Sequence, residues 1–168
     1  MILEVLFKSL HFSKEIKMDL LDMVLGEDKS DQADLCRHTC MAALPEAEVK
    51  AKVWAELTDP NNEDSVYVRS AKMQGLFSWS QIDLVRPYFD KFYDVLPLAH
   101  EKMTYKKFDS FFHSLLPRME VSDAHIVRLV SLKLETSDTE QMFANTLQDG
   151  IELLIRSKEI RTLCQASQ

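Results

Sequence analysis

Glycine is scarce in this chain: 168 residues contain three, beside five prolines, three cysteines and two tryptophans. So little glycine leaves no phosphate-cradling loop and no Gly-x-Ser-x-Gly nucleophile elbow. It also argues against an all-β fold, whose tight turns consume glycine, and runs of β-branched residues are nearly absent as well. No stretch approaches the ~20 apolar residues of a membrane span. The first residues are apolar but interrupted by Glu4 and Lys8, without the basic start and small-residue cleavage site of a secretory signal. Positive charge is in the minority, with 20 Lys and Arg against 27 Asp and Glu. The net charge of −7 suits a phosphate backbone poorly, so no nucleic-acid partner is expected. Cys36, Cys40 and Cys164 make an odd count, and no Asn-x-Ser/Thr acceptor occurs. Both features favour a reducing, cytoplasmic setting.

What the chain does have is apolar content, 46%, enough to bury a core and too much for a disordered segment. The apolar residues recur with helical period. Ile16, Leu20, Met23 and Val24 fall at i, i+4, i+7 and i+8. Ile82, Val85, Phe89, Phe92 and Leu96 continue one stripe, and Phe108, Phe111, Phe112, Leu115 and Leu116 form another. Phe143, Leu147, Ile151 and Leu154 repeat the pattern near the end. Period-two alternation is sustained nowhere, so no strand is expected.

The punctuation is regular. Gly26 to Ser30 breaks one helix from the next, Pro45 does so again, and Asp59-Pro60-Asn61-Asn62 reads as a loop. Ser80 is expected to cap the helix that holds Pro87, which either kinks that helix or sits in its first turns, and Pro97 and Pro117 to stop the next two helices. Ser122 suits a further N-cap, and Ser137 with Glu140 suits a capping box for the last helix. The expected fold is all-α: about eight or nine helices in one domain over residues 1–168, stacked as antiparallel hairpins like HEAT or armadillo repeats. Phe89-Asp90-Lys91-Phe92-Tyr93 and Phe108-Asp109-Ser110-Phe111-Phe112 form a single internal echo.

Candidate chemistry thins out on inspection. His100-Glu101-Lys102-Met103-Thr104 starts as a zinc-peptidase motif, but Thr104 stands where the second histidine ligand belongs, and His100 follows Pro97 in a loop-like stretch. Cys36 and Cys40 share a helix face while His38 points away, so two buried thiols on a stripe with Ala33 and Ala43 are expected. Asp59, Asn61 and Glu63 mimic the start of a calcium loop, yet Asp64 and Ser70 replace its required Gly and Glu. His113 and His125 read as structural histidines, the Phe89/Phe92/Phe108/Phe111/Phe112 stripe as core, and Trp79 as a packing residue before a cap, with exposure at a loop tip as its alternative. Lys50, Arg69 and Arg86 read as solvated charges on helix surfaces, with contact to a peptide carboxylate as the alternative. No catalytic, cofactor-binding or metal-ligating residue is assigned.

One resemblance emerges over Ser30 to Pro117. Ala42-Ala43-Leu44-Pro45 is followed by Lys50-Ala51-Lys52-Val53-Trp54, then by Gly75-Leu76-Phe77. Leu84-Val85-Arg86-Pro87-Tyr88 comes next, with Phe92-Tyr93 a few residues on, and Leu115-Leu116-Pro117 closes the series. In order and spacing this resembles the C-terminal helical domain of zinc aminopeptidases of the aminopeptidase N and puromycin-sensitive aminopeptidase family. In the family the pair corresponding to Gly75 and Phe77 is contiguous, whereas here Leu76 intervenes.

The resemblance implies a non-catalytic lid or chamber wall, closing over the catalytic domain of the same polypeptide where peptides lose their N-terminal residues. The family's zinc motif, His-Glu-x-x-His with a downstream Glu, and its Gly-x-Met-Glu-Asn loop are both absent from these residues. Zinc is therefore expected in that catalytic domain, with peptides as substrates of the whole enzyme. The alternatives are a stand-alone helical scaffold that binds a peptide or protein, and the tail of an aminopeptidase-like assembly subunit without activity.

Overall fold

A computed structural model describes residues 2–136 and 140–166. Among them the chain is all-α, with ten α-helices, a one-turn 3-10 helix and no strand. The described structure divides into two compact units, residues 1–88 and 89–168.

The first unit holds α1 (Ile2–Lys8), α2 (Lys14–Leu25), α3 (Asp31–Ala43), α4 (Ala47–Thr58), α5 (Val66–Leu76), the 3-10 turn Trp79–Gln81 and the short α6 (Ile82–Val85). Serine hydroxyls start three of these helices. Ser13, Ser30 and Ser65 accept the backbone N–H of Ile16, Ala33 and Val68, each satisfying one orphan donor of the first turn. Helix α3 packs on α1 and, most extensively, on α5, while α2 and α4 contact their chain neighbours. This i to i+2 row with flanking partners is the packing a helical repeat produces.

The α3–α5 seam is close because its residues are small. Ala33, Cys36, Cys40 and Ala43 of α3 and Ala71 of α5 are buried. Gly75 of α5 lies so near α3 that a Cβ there would stand 2.2 Å from the Thr39 carbonyl oxygen and 2.8 Å from the Ala42 Cβ. At the end of the same unit, Trp54 of α4 packs on Tyr88 with ring centroids 5.2 Å apart.

The described helices close without a left-handed glycine; Gly26, which ends α2, is itself in the right-handed helical region. No described residue has a positive φ, so none of these helices closes with a left-handed C-cap, and the last carbonyls need other donors. Side chains from other elements supply them. Lys17 Nζ donates to Phe7 O and Ser9 O at the end of α1, and Gln81 Nε2 to Lys8 O there and to Ala43 O at the end of α3. Arg37 donates to Leu25 O at the end of α2, and Arg69 to Leu57 O in the last turn of α4. Lys50 Nζ donates to Ala42 O of α3 at 2.8 Å and to Gly75 O of α5 at 3.4 Å. A cation near a C-terminus is also favoured by the helix dipole.

The second unit contains α7 (Pro87–Lys102, which begins two residues before it), α8 (Tyr105–Leu115), α9 (Asp123–Glu135) and α10 (Gln141–Ala166). Phe89, Phe92 and Leu96 of α7, Phe108, Phe111, Phe112 and Leu115 of α8, Leu129 of α9, and Phe143, Leu147 and Leu154 of α10 are buried. The phenylalanine stripe is core, as its spacing predicts. Gly150 of α10 makes room for one of these rings, since a Cβ there would come within 2.4 Å of the Phe112 ring.

Pro87 opens α7 just after α6 ends at Val85, the second of its two expected places; proline suits a helix start because it has no N–H to lose. Two points of punctuation differ from expectation. Pro97 stops nothing, for α7 runs through it to Lys102. Leu96, Ala99 and Met103 are buried in continuous register across it, and that burial outweighs the roughly 3 kcal/mol that proline costs within a helix. Ser80 is not an N-cap but lies inside the 3-10 turn, its Oγ donating to Lys8 O. Ser122 does cap α9, and Ser137 lies outside the described residues.

Candidate functional site

Each residue with chemical potential can be followed from its helix to its surroundings. Cys36 and Cys40 lie one turn apart on the buried face of α3, with 4% and 0% of their surfaces exposed. Burial, with Cys36 beside it, pushes the Cys40 thiol up to about 12, far from the thiolate a nucleophile or metal ligand requires. His38 turns away and stands 3.6 Å from Asp34 one turn earlier. The thiols border a recess of about 340 Å³ whose rim is polar, with Glu4, Gln32, Thr39, Ser70 and Gln74.

His100 lies on α7, not in a loop, and its surroundings are aromatic and acidic. Its ring stacks on Phe143 at 3.8 Å between centroids, and its Nε2 is 3.0 Å from Glu140 Oε1. Thr104 occupies the N-cap position of α8. His100, Glu101, Glu135 and Glu140 border an open cleft of about 510 Å³. His125 completes a capping box, its backbone N–H donating to Ser122 Oγ and its Nδ1 accepting the Ser122 N–H, while its ring stacks on Tyr93. His113 pairs with Asp109 at 3.3 Å. These imidazoles are held by structural partners.

The 59–64 segment is a turn that binds itself. Asp59 Oδ1 accepts the Asn61 N–H at 2.8 Å, Asn62 Oδ1 accepts the Asp64 N–H at 2.9 Å, and Asp64 pairs with Lys72 at 2.5 Å. Asp59 and Asn62 are thus engaged by backbone N–H groups of the turn, and Asp64 shares the Lys72 ammonium with Glu56. Among the described residues, no group of three or more His, Cys, Asp and Glu could hold a metal ion.

Two expectations about charge and one about Trp79 are corrected. Lys50 and Arg69 are not solvated: 0% and 2% of their surfaces are exposed, because the carbonyls of neighbouring helix ends draw them inward. Burial, with the charges of Lys8 and Lys17 adding to it, lowers the Lys50 ammonium from 10.5 to about 7. Arg86 is the exposed member of the three, paired with Asp83 at 2.7 Å. Trp79, expected to pack, is 61% exposed on the 3-10 turn. The inward turn of Lys17, Gln81, Lys50 and Arg69 went unread in the sequence. The available signal was the glycine count, since three glycines cannot cap ten helices.

No family model matches the chain, and no curated protein is significantly similar to it. No described helix is long and apolar enough to cross a membrane.

Proposed function

We propose that this chain is a C-terminal helical domain of a cytoplasmic zinc aminopeptidase, forming part of the chamber around the catalytic domain of the same polypeptide and not performing the chemistry itself. The observation that supports the reading is that residues carrying the resemblance, far apart in sequence, bear on one another in space. Lys50 joins Ala42 to Gly75 through its two hydrogen bonds, and Trp54 packs on Tyr88. A run of matches that served only separate helix surfaces would not need these side chains together.

In such an enzyme zinc activates water for attack on the first peptide bond, and this metal would be held by the catalytic domain. This domain's part is geometric: packed helices wall off the space in which a peptide is held and so limit what can enter. The row formed by α1, α3 and α5 favours a second reading, a helical scaffold that binds a peptide or protein without any peptidase attached.

The test is the size and composition of the native protein, by immunoblot with an antibody raised against these residues and peptide mapping of the band. A band several times larger than 19.4 kDa that contains His-Glu-x-x-His supports the aminopeptidase reading. A large band with a broken zinc motif points to a non-catalytic assembly subunit. A single band near 19.4 kDa refutes both and leaves the scaffold.

A further inference from the structure

Helix α2 turns one apolar face to solvent. Ile16, Met23 and Val24 are 47%, 79% and 57% exposed, and Leu20 between them is half-buried. The helix buries Leu21 and Lys17 instead, with Met18 and Leu25 packed against the core. The exposed residues form a stripe two turns long at i, i+4, i+7 and i+8, the spacing with which a helix grips a second helix.

Charge identifies what would cover this stripe. Glu15, Asp19 and Asp22, at i, i+4 and i+7, form an exposed acidic edge along one side of it. The two lysines of α2 do not offset that edge, because Lys17 is buried on backbone carbonyls and Lys14 is 2.8 Å from Glu46. Among the described residues Asp19 and Asp22 have no cationic partner. An apolar surface bordered by unpaired carboxylates matches an amphipathic helix with Lys or Arg on its flank and repels an acidic one.

We propose that this face of α2 docks a basic amphipathic helix of a partner protein, with apolar side chains on the Ile16–Val24 stripe and basic ones on Asp19 and Asp22. The proposal goes beyond the aminopeptidase reading and does not depend on it.

The test uses the full 168-residue chain and two fluorescent helical peptides with leucines at i, i+3, i+4 and i+7, one flanked by lysines and the other by glutamates. In anisotropy titrations the lysine peptide is expected to bind about tenfold or more tightly than the glutamate peptide, with the advantage shrinking as salt rises. Met23→Asp is expected to weaken binding about tenfold or more. The double variant Asp19→Lys with Asp22→Lys is expected to reverse the preference between the two peptides. All three positions are exposed, and circular dichroism checks that the variants stay folded. Equal affinity for both peptides, no binding, or binding unchanged by Met23→Asp overturns the proposal. So does a native dimer that Met23→Asp converts to monomer, because the occupant is then a second copy of this chain.

Discussion

Replacing Lys50 by methionine is expected to remove a pH dependence from the stability of residues 1–88. The wild-type ammonium is fully buried and its pKa is lowered by burial from 10.5 to about 7. Between these values the unfolded chain keeps a proton that the folded chain releases, so stability rises with pH across the window. Above 10.5 the contribution is complete, and it is lost as pH falls toward 7, where the folded unit must hold a buried charge. At about 1.4 kcal/mol per unit, the full window is worth up to about 5 kcal/mol, and the part between about pH 7 and pH 9.5 about 3 kcal/mol.

Methionine fills a similar volume but cannot titrate, and it leaves the Ala42 and Gly75 carbonyls without this donor. That loss costs about 1–3 kcal/mol per carbonyl at every pH and shifts the variant's curve without tilting it. The assay is urea unfolding followed by tryptophan fluorescence, because Trp54 and Trp79 both lie in residues 1–88. The wild type is expected to gain on the variant by about 3 kcal/mol between about pH 7 and pH 9.5. Titrations common to both proteins cancel in the difference. Parallel profiles would refute the reasoning, since they would mean that Lys50 keeps its proton and hence its water.

Gly75→Ala places a methyl 2.2 Å from the Thr39 carbonyl oxygen, so α3 and α5 must part; a loss of about 1–3 kcal/mol or more is expected in the same assay. Gly150→Ala drives a methyl to 2.4 Å from a Phe112 ring already hemmed in by Phe92 and Phe108. It is expected to destabilise by about 1–3 kcal/mol despite alanine's better helix propensity, and unfolding by far-UV circular dichroism would reveal a stabilised variant if the ring can yield. Trp54→Ala empties the contact with Tyr88 and is expected to cost about 3–5 kcal/mol by circular dichroism; unchanged unfolding would place Trp54 outside the core.

The parts of the fold that were legible in the sequence are those where one local rule acts alone. The stripe of Phe108, Phe111 and Phe112 marks a core helix because large aromatics at helical spacing find cover in most contexts, and Ser122 caps because its hydroxyl reaches a backbone N–H three residues on. Illegible features depend on what lies across a gap. The Ile16–Val24 stripe identifies α2 as a helix, yet periodicity defines a face without saying whether anything covers it. Pro97 reads as a stop until the burial of Leu96 and Ala99 on either side is known. Lys50 and Arg69 look like solvent-facing charges because the carbonyls that hold them belong to other helices. Among the candidate site residues, the burial of Cys36 and Cys40 on one face of α3 was readable from spacing alone. The pairing of His100 with Phe143 and Glu140 was not, since those partners lie some forty residues along the chain.

Closing helices with a neighbour's side chain has a consequence for how residues 1–88 come apart. A helix that ends in its own glycine carries its terminator with it and can melt or form alone. Here Lys50 terminates two helices at once and Gln81 another pair, so fraying α1, α3 or α5 unseats a donor that another helix requires. Solenoids of self-capped repeats unravel from an end, one repeat after another. The cross-tied helices of this unit share their terminators, so amide exchange should show one opening event spanning α1 to α5, and no cut at a hairpin boundary would release a piece that keeps its shape.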